Sequence, residues 1–339
     1  MAESVVTTVP GGWAVLAGIL LCGLAFFAAA LDAALSARAQ GTGGGWGAPL
    51  GRSARLLRQR RRTTVAADTL LWRVGGAGML VGAFLMIAVL PLGEWTLADL
   101  DVGVVWFNTV DVMVWALVWL AGWGANSAHG LVGGYRFLAH GLAYELPLMF
   151  ALVAPAIAAG SLAVGDVAAA QDGVWFVVWM PVAFLVYLLG VAAFAVWGPF
   201  SPAIGTDVAG GARAELSGVD RLVFEAGRYA LLAADIGGGV LAELSGVDRL
   251  VLQAGRYLFL TAGAAFSVPL FLGGGAGPVL PGWAWVLVKT VAVLAVLVWL
   301  RRKLPLLRPD RFMEIGWMVL LPAAVLQDLV VSLVVVWKG

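Results

Sequence analysis

The sequence predicts an all-α membrane protein, a polytopic bundle of about eight transmembrane helices joined by long cytoplasmic loops. Hydrophobic residues make up 62% of the 339 residues and charged residues only 12%, whereas a soluble domain has roughly 25% charged residues. Apolar stretches that are long enough to cross a bilayer recur along the whole chain. A water-soluble globule is therefore excluded, and residues 1–339 are predicted to form a single membrane domain.

Eight apolar stretches are predicted to span the membrane, because each has about the 20 residues that crossing the hydrocarbon core requires. They are residues 13–35, 74–93, 103–124, 142–164, 174–198, 257–274, 282–300 and 316–337. The first stretch is expected to stay as a helix and not to be cleaved as a signal, because residues 1–12 contain Glu3 but no lysine or arginine.

The cations are distributed unevenly over the connections between these spans. Nineteen of the 21 lysines and arginines lie in four alternate segments, residues 36–73, 125–141, 199–256 and 301–315. The opposite connections carry acidic residues, namely Glu94, Asp99, Asp101, Asp166 and Asp172. Because cationic loops stay in the cytoplasm, both termini are predicted to lie outside.

Two of the cationic segments are long. The basic cytoplasmic loop 36–73 contains Arg52–Arg62, which suits an anionic lipid surface because each cation near such a surface contributes about 1 kcal/mol. The loop 199–256 is neither a span nor a low-complexity linker, and long loops of this kind are often functional.

The loop 199–256 also contains most of a tandem duplication with a period of 28 residues (214–241 and 242–269). Ala214–Tyr229 recurs almost unchanged as Ala242–Tyr257. Residues 230–241 are too few to cross the hydrocarbon. The first copy is therefore predicted to be a cytoplasmic or re-entrant insertion, and the second copy to lead into the sixth span.

Five ionisable residues fall within or at the ends of the predicted spans, namely Asp32, Asp111, Glu145, Lys289 and Asp328. Such a residue is costly in hydrocarbon unless it is paired or hydrated, so each is a candidate for function. Glu145 fits either a hydrated path for protons or a quinone, or a structural ion pair with a cation of a neighbouring helix. Asp32 and Asp328 lie near span ends, where interface roles are more common, and Asp111 and Lys289 fit either interpretation.

The residues that usually hold redox centres are scarce. The chain has one cysteine, Cys22, which is expected to be packed as a small apolar residue, and two histidines, His129 and His140. This excludes disulfide frameworks, thiolate clusters and multi-histidine haem or copper sites, so no metal site is predicted. With a net charge of +1, nothing predicts a nucleic-acid partner. Any redox centre is expected in a partner protein.

Five segments carry motifs in a fixed order. They are Leu120–Ser127 (LAGWGANS), Ala143–Leu148 (AYELPL), Pro199–Gly218, Trp299–Pro305 (WLRRKLP) and Arg311–Pro322 (RFMEIGWMVLLP). They resemble, in turn, LAGWASN, SYEIPL, the quinone-loop pattern PFDLPEAESELVAGY followed by TEYSG, WVRATLP and RLMRLGWKVLLP. These belong to the H subunit of bacterial NADH-quinone oxidoreductase (complex I), which is related to the membrane subunit of membrane-bound hydrogenases.

The resemblance implies a subunit of an NADH:quinone oxidoreductase that acts as a translocase in a prokaryotic plasma membrane. Such a subunit forms the membrane side of a quinone chamber, docks the iron–sulfur arm and couples quinone reduction to proton translocation. The implied substrate is a quinone. NADH, FMN and iron–sulfur clusters would be bound by other membrane and peripheral subunits, and this chain would bind no cofactor and would contact membrane lipid.

The resemblance also implies roles for particular residues. Catalytic or proton-transfer roles fall to Glu145, Lys289, Asp207, Glu215 and Glu225. Quinone-binding roles fall to Arg38, Gln40, Arg136, Phe200, Glu215 and Arg301.

The chain departs from the family pattern at several charged positions. Several quinone-loop carboxylates are absent, and Arg228 and Arg256 stand where the family has an acid. One alternative is therefore a non-catalytic scaffold paralogue in a variant respiratory or membrane-bound hydrogenase complex. The other is an independent ion transporter, which would predict an inverted internal repeat, whereas the repeat found here is direct.

Overall fold

The computed structural model describes residues 6–200, 239–305, 307 and 309–338, which form a helical bundle. Its helices are α1 (Trp13–Ala39), α2 (Ala48–Arg58), α3 (Thr69–Ile87), α4 (Gly103–Gly124), α5 (Ala128–Ala159), α6 (Val164–Ala169), α7 (Phe176–Trp179), α8 (Pro181–Phe194), α9 (Gly239–Glu243), α10 (Gly246–Phe271), α11 (Gly282–Lys303), α12 (Pro309–Ile315) and α13 (Leu321–Lys338). A π-helical turn, Gly316–Leu320, joins α12 to α13. The predicted all-α polytopic class is confirmed.

Six helical stretches of the described chain are long and apolar enough to cross a membrane. They are α1, α3, α4, α5, α11 and the stretch Asp310–Trp337. The predicted span 174–198 falls on α7 and the shorter α8, where Pro181 starts a new helix because it lacks an N–H for the preceding one. The predicted span 257–274 falls on α10, whose first turns are polar. Each predicted span thus coincides with helix.

Two predicted loops contain more helix than the sequence suggested. The segment 125–141 is helical from Ala128, because the Ser127 hydroxyl accepts a hydrogen bond from the Gly130 N–H (3.2 Å) and caps α5. The helix ends at Gly160, whose φ of +66° suits glycine. The basic loop 36–73 contains the end of α1, the whole of α2 and the start of α3, which Asp68 caps. The sequence did not predict these helix starts, because they are rich in glycine or arginine and lack the apolar run that indicates a span.

The two ends of the bundle differ in charge. At the end that we call the basic end, α1 and α11 finish with Arg38 and with Arg301–Lys303. At the opposite end, called the acidic end, α1 and α11 begin, and the short strands β1 (Thr7–Thr8) and β2 (Trp95–Thr96) pair in parallel.

Helix α10 lies at the centre of the bundle, and its residues from Leu258 to Phe271 are buried. Phe266 of α10 stacks on Phe107 of α4 with ring centroids 4.0 Å apart. Helices α3 and α4 approach closely because a side chain at Gly75 would collide with the α4 backbone. The expectation that Cys22 is packed as a small apolar residue is wrong, since its side chain is exposed on α1.

Candidate functional site

A charged cluster at the basic end joins three helices. The Asp32 carboxylate on α1 accepts hydrogen bonds from Arg301 Nη1 at 2.8 Å and from Arg302 Nη2 at 2.7 Å, both on α11. The Tyr257 hydroxyl on α10 donates to Asp32 Oδ2 at 3.3 Å. We call these four residues the Asp32 cluster. Asp32 is buried. Although it lies near the end of the predicted first span, it is therefore a paired interior charge and not a solvated interface residue.

The residues after α8 are held against this cluster. The guanidinium of Arg301 lies over the Trp197 ring, 4.4 Å from its centroid, and the Trp197 indole donates to the Leu297 carbonyl at 3.2 Å. Arg256 on α10 donates to the Val196 carbonyl. Arg256, which the motif resemblance places where the family has an acid, therefore holds the segment that precedes the loop 199–256 against α10.

A cavity of about 350 Å³ lies beside the Asp32 cluster, between α1, α2 and α10. Ala25, Phe26 and Leu56 contribute apolar walls, whereas Arg301 and Tyr257 contribute polar groups. A cavity with this division of polar and apolar lining suits an amphipathic ligand with a polar head and an apolar body.

A second polar cluster lies within the bundle, between α4 and α5. The Asn108 side-chain amide donates to Glu145 Oε1 at 2.6 Å and to Asp111 Oδ1 at 3.2 Å. Asp111 and Glu145 are buried, and their other carboxylate oxygens have no hydrogen-bond partner in the described part of the chain. Neither carboxylate forms an ion pair with a described residue. The amide thus links two acids, which we call the Asn108 bridge.

Aromatic residues of α4 and α5 lie near this bridge. The Trp115 indole donates to the Tyr144 hydroxyl at 2.9 Å. The His140 ring is buried against Phe200 and Phe312, and its nitrogens have no partner among described residues. The interior between α4 and α5 is therefore apolar apart from the Asn108 bridge, the Trp115–Tyr144 hydrogen bond and the His140 ring.

Lys289 lies near the acidic end, on α11. Its ammonium donates to the carbonyls of Leu272 (2.7 Å), Gly274 (2.9 Å) and Ala276 (2.7 Å), which follow α10. It also lies 4.2 Å from the centroid of the Trp175 ring. All three ammonium protons of Lys289 are thus donated to carbonyls of the segment between α10 and α11.

Asp328 on α13 is also largely buried. Neither of its carboxylate oxygens has a hydrogen-bond partner among the residues described.

The structure brings one of the predicted quinone-binding residues, Arg301, to the cavity. Arg38 and Gln40 lie at the end of α1, and Arg136 lies on α5. Phe200 is buried against Phe312, with ring centroids 4.3 Å apart. These four are not among the described residues that line the cavity.

Three predicted catalytic residues, Asp207, Glu215 and Glu225, lie outside the described residues, as does most of the loop 199–256. Conversely, sequence reasoning missed Asn108, Tyr257 and Trp197. Asn108 had a signal, an amide three residues before an acid within an apolar span. Tyr257 and Trp197 had none, because aromatic residues are common near membrane interfaces.

The fold and these clusters define a polytopic α-helical membrane protein with an amphipathic cavity and a pair of interior carboxylates. The family model described as NADH dehydrogenase matches residues 14–234 and 232–332. The chain therefore belongs to the NADH dehydrogenase family, and the resemblance inferred from its motifs is confirmed.

Curated relatives agree with this assignment. The H 2 subunit of the NADH-quinone oxidoreductase of Geobacter sulfurreducens is 33% identical over 300 residues, which are 85% of this chain and 83% of the relative. The protein of the same name from Cereibacter sphaeroides is 34% identical over 84% of this chain and 82% of its own length. The H subunit of the NADH-quinone oxidoreductase of Geobacillus kaustophilus is 31% identical over 84% of this chain and 78% of its own length.

Proposed function

We propose that this chain is the membrane subunit of a complex-I-like NADH-quinone oxidoreductase, and that the cavity beside the Asp32 cluster is its part of the quinone chamber. The observation that carries the proposal is the division of that cavity into apolar walls and a polar end. A quinone has the same division, with two carbonyl oxygens on its head and a long apolar tail.

The polar end offers hydrogen-bond donors of the kind that a quinone carbonyl accepts. Arg301 lines the cavity and has N–H groups beyond the one that it donates to Asp32. Tyr257 also lines the cavity, but its single hydroxyl hydrogen is donated to Asp32. The tail would lie along Ala25 and Phe26 of α1, towards the exposed face of that helix. Reduction of the quinone to a quinol takes two electrons and two protons. The electrons would come from an iron–sulfur cluster of a peripheral partner protein.

We place proton coupling at the Asn108 bridge. Asp111 and Glu145 are two acids in a low-dielectric interior, and a single amide links them. Both cannot readily carry a charge there, so a charge that appears at the quinone site shifts protons between them. Asp207, Glu215 and Glu225 remain candidates for the path between the two sites, as the motif resemblance implies.

The partners and the orientation follow from the same proposal. The basic end would face the cytoplasm of a prokaryotic cell and dock the iron–sulfur arm, and the other membrane subunits would cover part of the exposed apolar surface. NADH, FMN and the iron–sulfur clusters would lie in those partners. A tag inserted near Gly238 is then expected to be reachable from the cytoplasm only.

A tryptophan placed in the cavity tests the proposal. Ala29 of α1 lines the cavity, whereas Ile19 of the same helix is exposed and does not line it. In membranes that contain the assembled complex, Ala29→Trp is expected to lower the NADH:quinone reductase activity about tenfold, which corresponds to ~1.4 kcal/mol. Ile19→Trp is the matched control and should leave the activity near that of the wild type.

A further readout separates a defect at the quinone site from a defect in the peripheral arm. NADH oxidation with a water-soluble electron acceptor should stay normal in both variants, because it needs only the peripheral arm. An assembled Ala29→Trp complex with wild-type quinone kinetics would contradict the proposed chamber and favour the scaffold alternative.

A further inference from the structure

A second cavity, of about 290 Å³, lies at the acidic end of the bundle, away from the Asp32 cluster. It is bounded by the first half of α1, the first turns of α11 and the middle of α10. Leu16, Leu20 and Leu24 of α1 form one wall, and Leu287 of α11 contributes to another. The described lining contains no charged side chain.

The hydroxyl groups that line this cavity are already hydrogen-bonded within the protein. The hydroxyls of Thr261 and Thr290 each donate to a carbonyl of their own helix at 2.7 Å. The Thr96 hydroxyl donates to the Ala98 carbonyl at 3.2 Å. A ligand head group would therefore find no available hydroxyl donor here, and a cavity with such apolar walls does not hold water. An alkyl chain is the kind of ligand that suits these apolar walls.

The position of three tryptophans indicates where such a chain would come from. Trp13, Trp95 and Trp283 line the cavity, and each is about two-fifths exposed. Trp13 and Trp283 lie where α1 and α11 begin, and tryptophan is enriched at the membrane–water interface. The indoles therefore mark the level of the lipid head groups, and the leucine-lined part of the cavity lies at the level of the acyl chains.

We propose that this cavity binds one acyl chain of a bilayer phospholipid from the leaflet at the acidic end. The chain gains dispersion contacts in a space that would otherwise be empty, and its head group stays at the tryptophan level. Since lipid tails are as apolar as leucine, there is no hydrophobic gain from leaving the bilayer. The bound lipid is thus held by fit, and it exchanges with the bilayer more slowly than its neighbours. The proposal does not depend on the proposed function.

Photo-crosslinking tests this assignment on the whole complex in lipid nanodiscs. The probe is a phosphatidylcholine with a diazirine at the end of one acyl chain. After illumination and digestion, mass spectrometry is expected to find adducts on the peptides that contain Leu20, Leu24 and Thr261. Adducts on these α1 and α10 positions together report the cavity, because Thr261 is fully buried.

Variants that fill the cavity provide the specificity test. Ala17→Phe on α1 and Ala265→Phe on α10 both place a ring at the lined space, and either should abolish the adduct at Thr261. Val15→Phe is the matched control, because Val15 is exposed on α1 outside the lining, and it should leave the adducts unchanged. Using two filling variants keeps the test valid if one of them does not assemble.

Competition distinguishes the remaining occupants. An excess of a long-tailed quinone should not reduce the lipid adducts, and a reduction would assign the cavity to a quinone tail. Absence of adducts at these positions in an assembled complex would mean that a partner protein fills the cavity. Persistence of the Thr261 adduct in both filling variants would likewise overturn the proposal.

Discussion

Arg301 donates a hydrogen bond to Asp32 at 2.8 Å, although 269 positions separate the two residues in the sequence. The Asp32 side chain is only 9% exposed, and Arg302 occupies its other carboxylate oxygen. One buried acid therefore pairs with two neighbouring cations and joins α1 to α11. Arg301 also lies over the Trp197 ring, so the same side chain contacts α1 and the segment after α8.

Removal of the acid is expected to destabilise the protein strongly. In Asp32→Ala, two arginines face each other in a partly buried site with no counter-charge. Loss of one partner of a buried ion pair typically costs about 3–5 kcal/mol. Thermal unfolding of the purified protein in detergent measures the effect, and Asp32→Asn should recover only part of the loss because it lacks the charge.

The exposed pair Arg311–Glu314 provides the matched control. Its side chains are 73% and 61% exposed, and exposed pairs contribute about 1 kcal/mol or less. Glu314→Ala should therefore leave the unfolding transition almost unchanged. Equal effects of Asp32→Ala and Glu314→Ala would show that the Asp32 cluster does not hold the two helices together.

A second prediction concerns the Asn108 bridge. Asn108→Leu keeps the approximate shape of the side chain but removes the amide that links Asp111 to Glu145. Because proton transfer between positioned groups depends on hydrogen-bond contact, we expect pumping per electron pair to fall roughly tenfold. Quinone reduction itself should fall less. A pH-sensitive dye in inverted membrane vesicles, with NADH oxidation recorded in parallel, measures both quantities.

Thr109→Val is the control for the Asn108 variant. Thr109 is the next residue on α4, and within the described residues its exposed hydroxyl bonds only to the Val105 carbonyl of its own helix at 2.8 Å. It should leave pumping unchanged. Normal pumping by an assembled Asn108→Leu complex would remove the bridge from the proton path.

The sequence is sufficient to predict the transmembrane helices but not the contacts between them. Apolar runs indicate spans directly, whereas the basic end of α5 is hidden by its glycines and arginine. Glu145 can be located through its motif, yet its link to Asp111 depends on how α4 packs on α5. The pairing of Asp32 with Arg301 is likewise set by the packing of α1 on α11. Local patterns contain no information on such distant pairs.

Lys289 shows how the structure changes the expected outcome of a substitution. The motif resemblance assigns it to proton chemistry, but its three ammonium protons are bonded to carbonyls beyond α10. Since hydrogen bonds to charged groups contribute about 1.5–3 kcal/mol each, we expect Lys289→Met to lower the stability by at least about 3 kcal/mol. Thermal unfolding measures this, and Lys303→Met, at the exposed end of α11, is the control.

The two roles of Lys289 predict different patterns. A structural role predicts less assembled protein, with pumping per electron pair unchanged in what assembles. A proton-transfer role predicts normal assembly with reduced pumping. The second pattern in Lys289→Met would overturn the structural interpretation and support the assignment from the motif.

The last prediction concerns the duplicated segment. The second copy makes defined contacts with the bundle: the Ser245 hydroxyl accepts a hydrogen bond from the Arg62 N–H at 2.7 Å, and Asp248 pairs with Arg61 at 3.4 Å. The first copy has the same residue types at the corresponding positions. What differs is the continuation, because only the second copy leads into the buried half of α10. The second copy must therefore occupy this position.

Deletion of residues 211–238, which removes Ala214–Tyr229 of the first copy and keeps α9 intact, is expected to give a chain that assembles with wild-type stability. Deletion of 242–269 removes most of α10 and should abolish assembly. Quinone reductase activity of the first deletion tests the acids as well. It removes Glu215 and Glu225, while the second copy retains Glu243 at the position of Glu215. We expect activity within a few fold of the wild type, because Glu243 then takes the place of the lost acid. A stable but inactive complex would instead show that the first copy supplies acids that the second cannot replace.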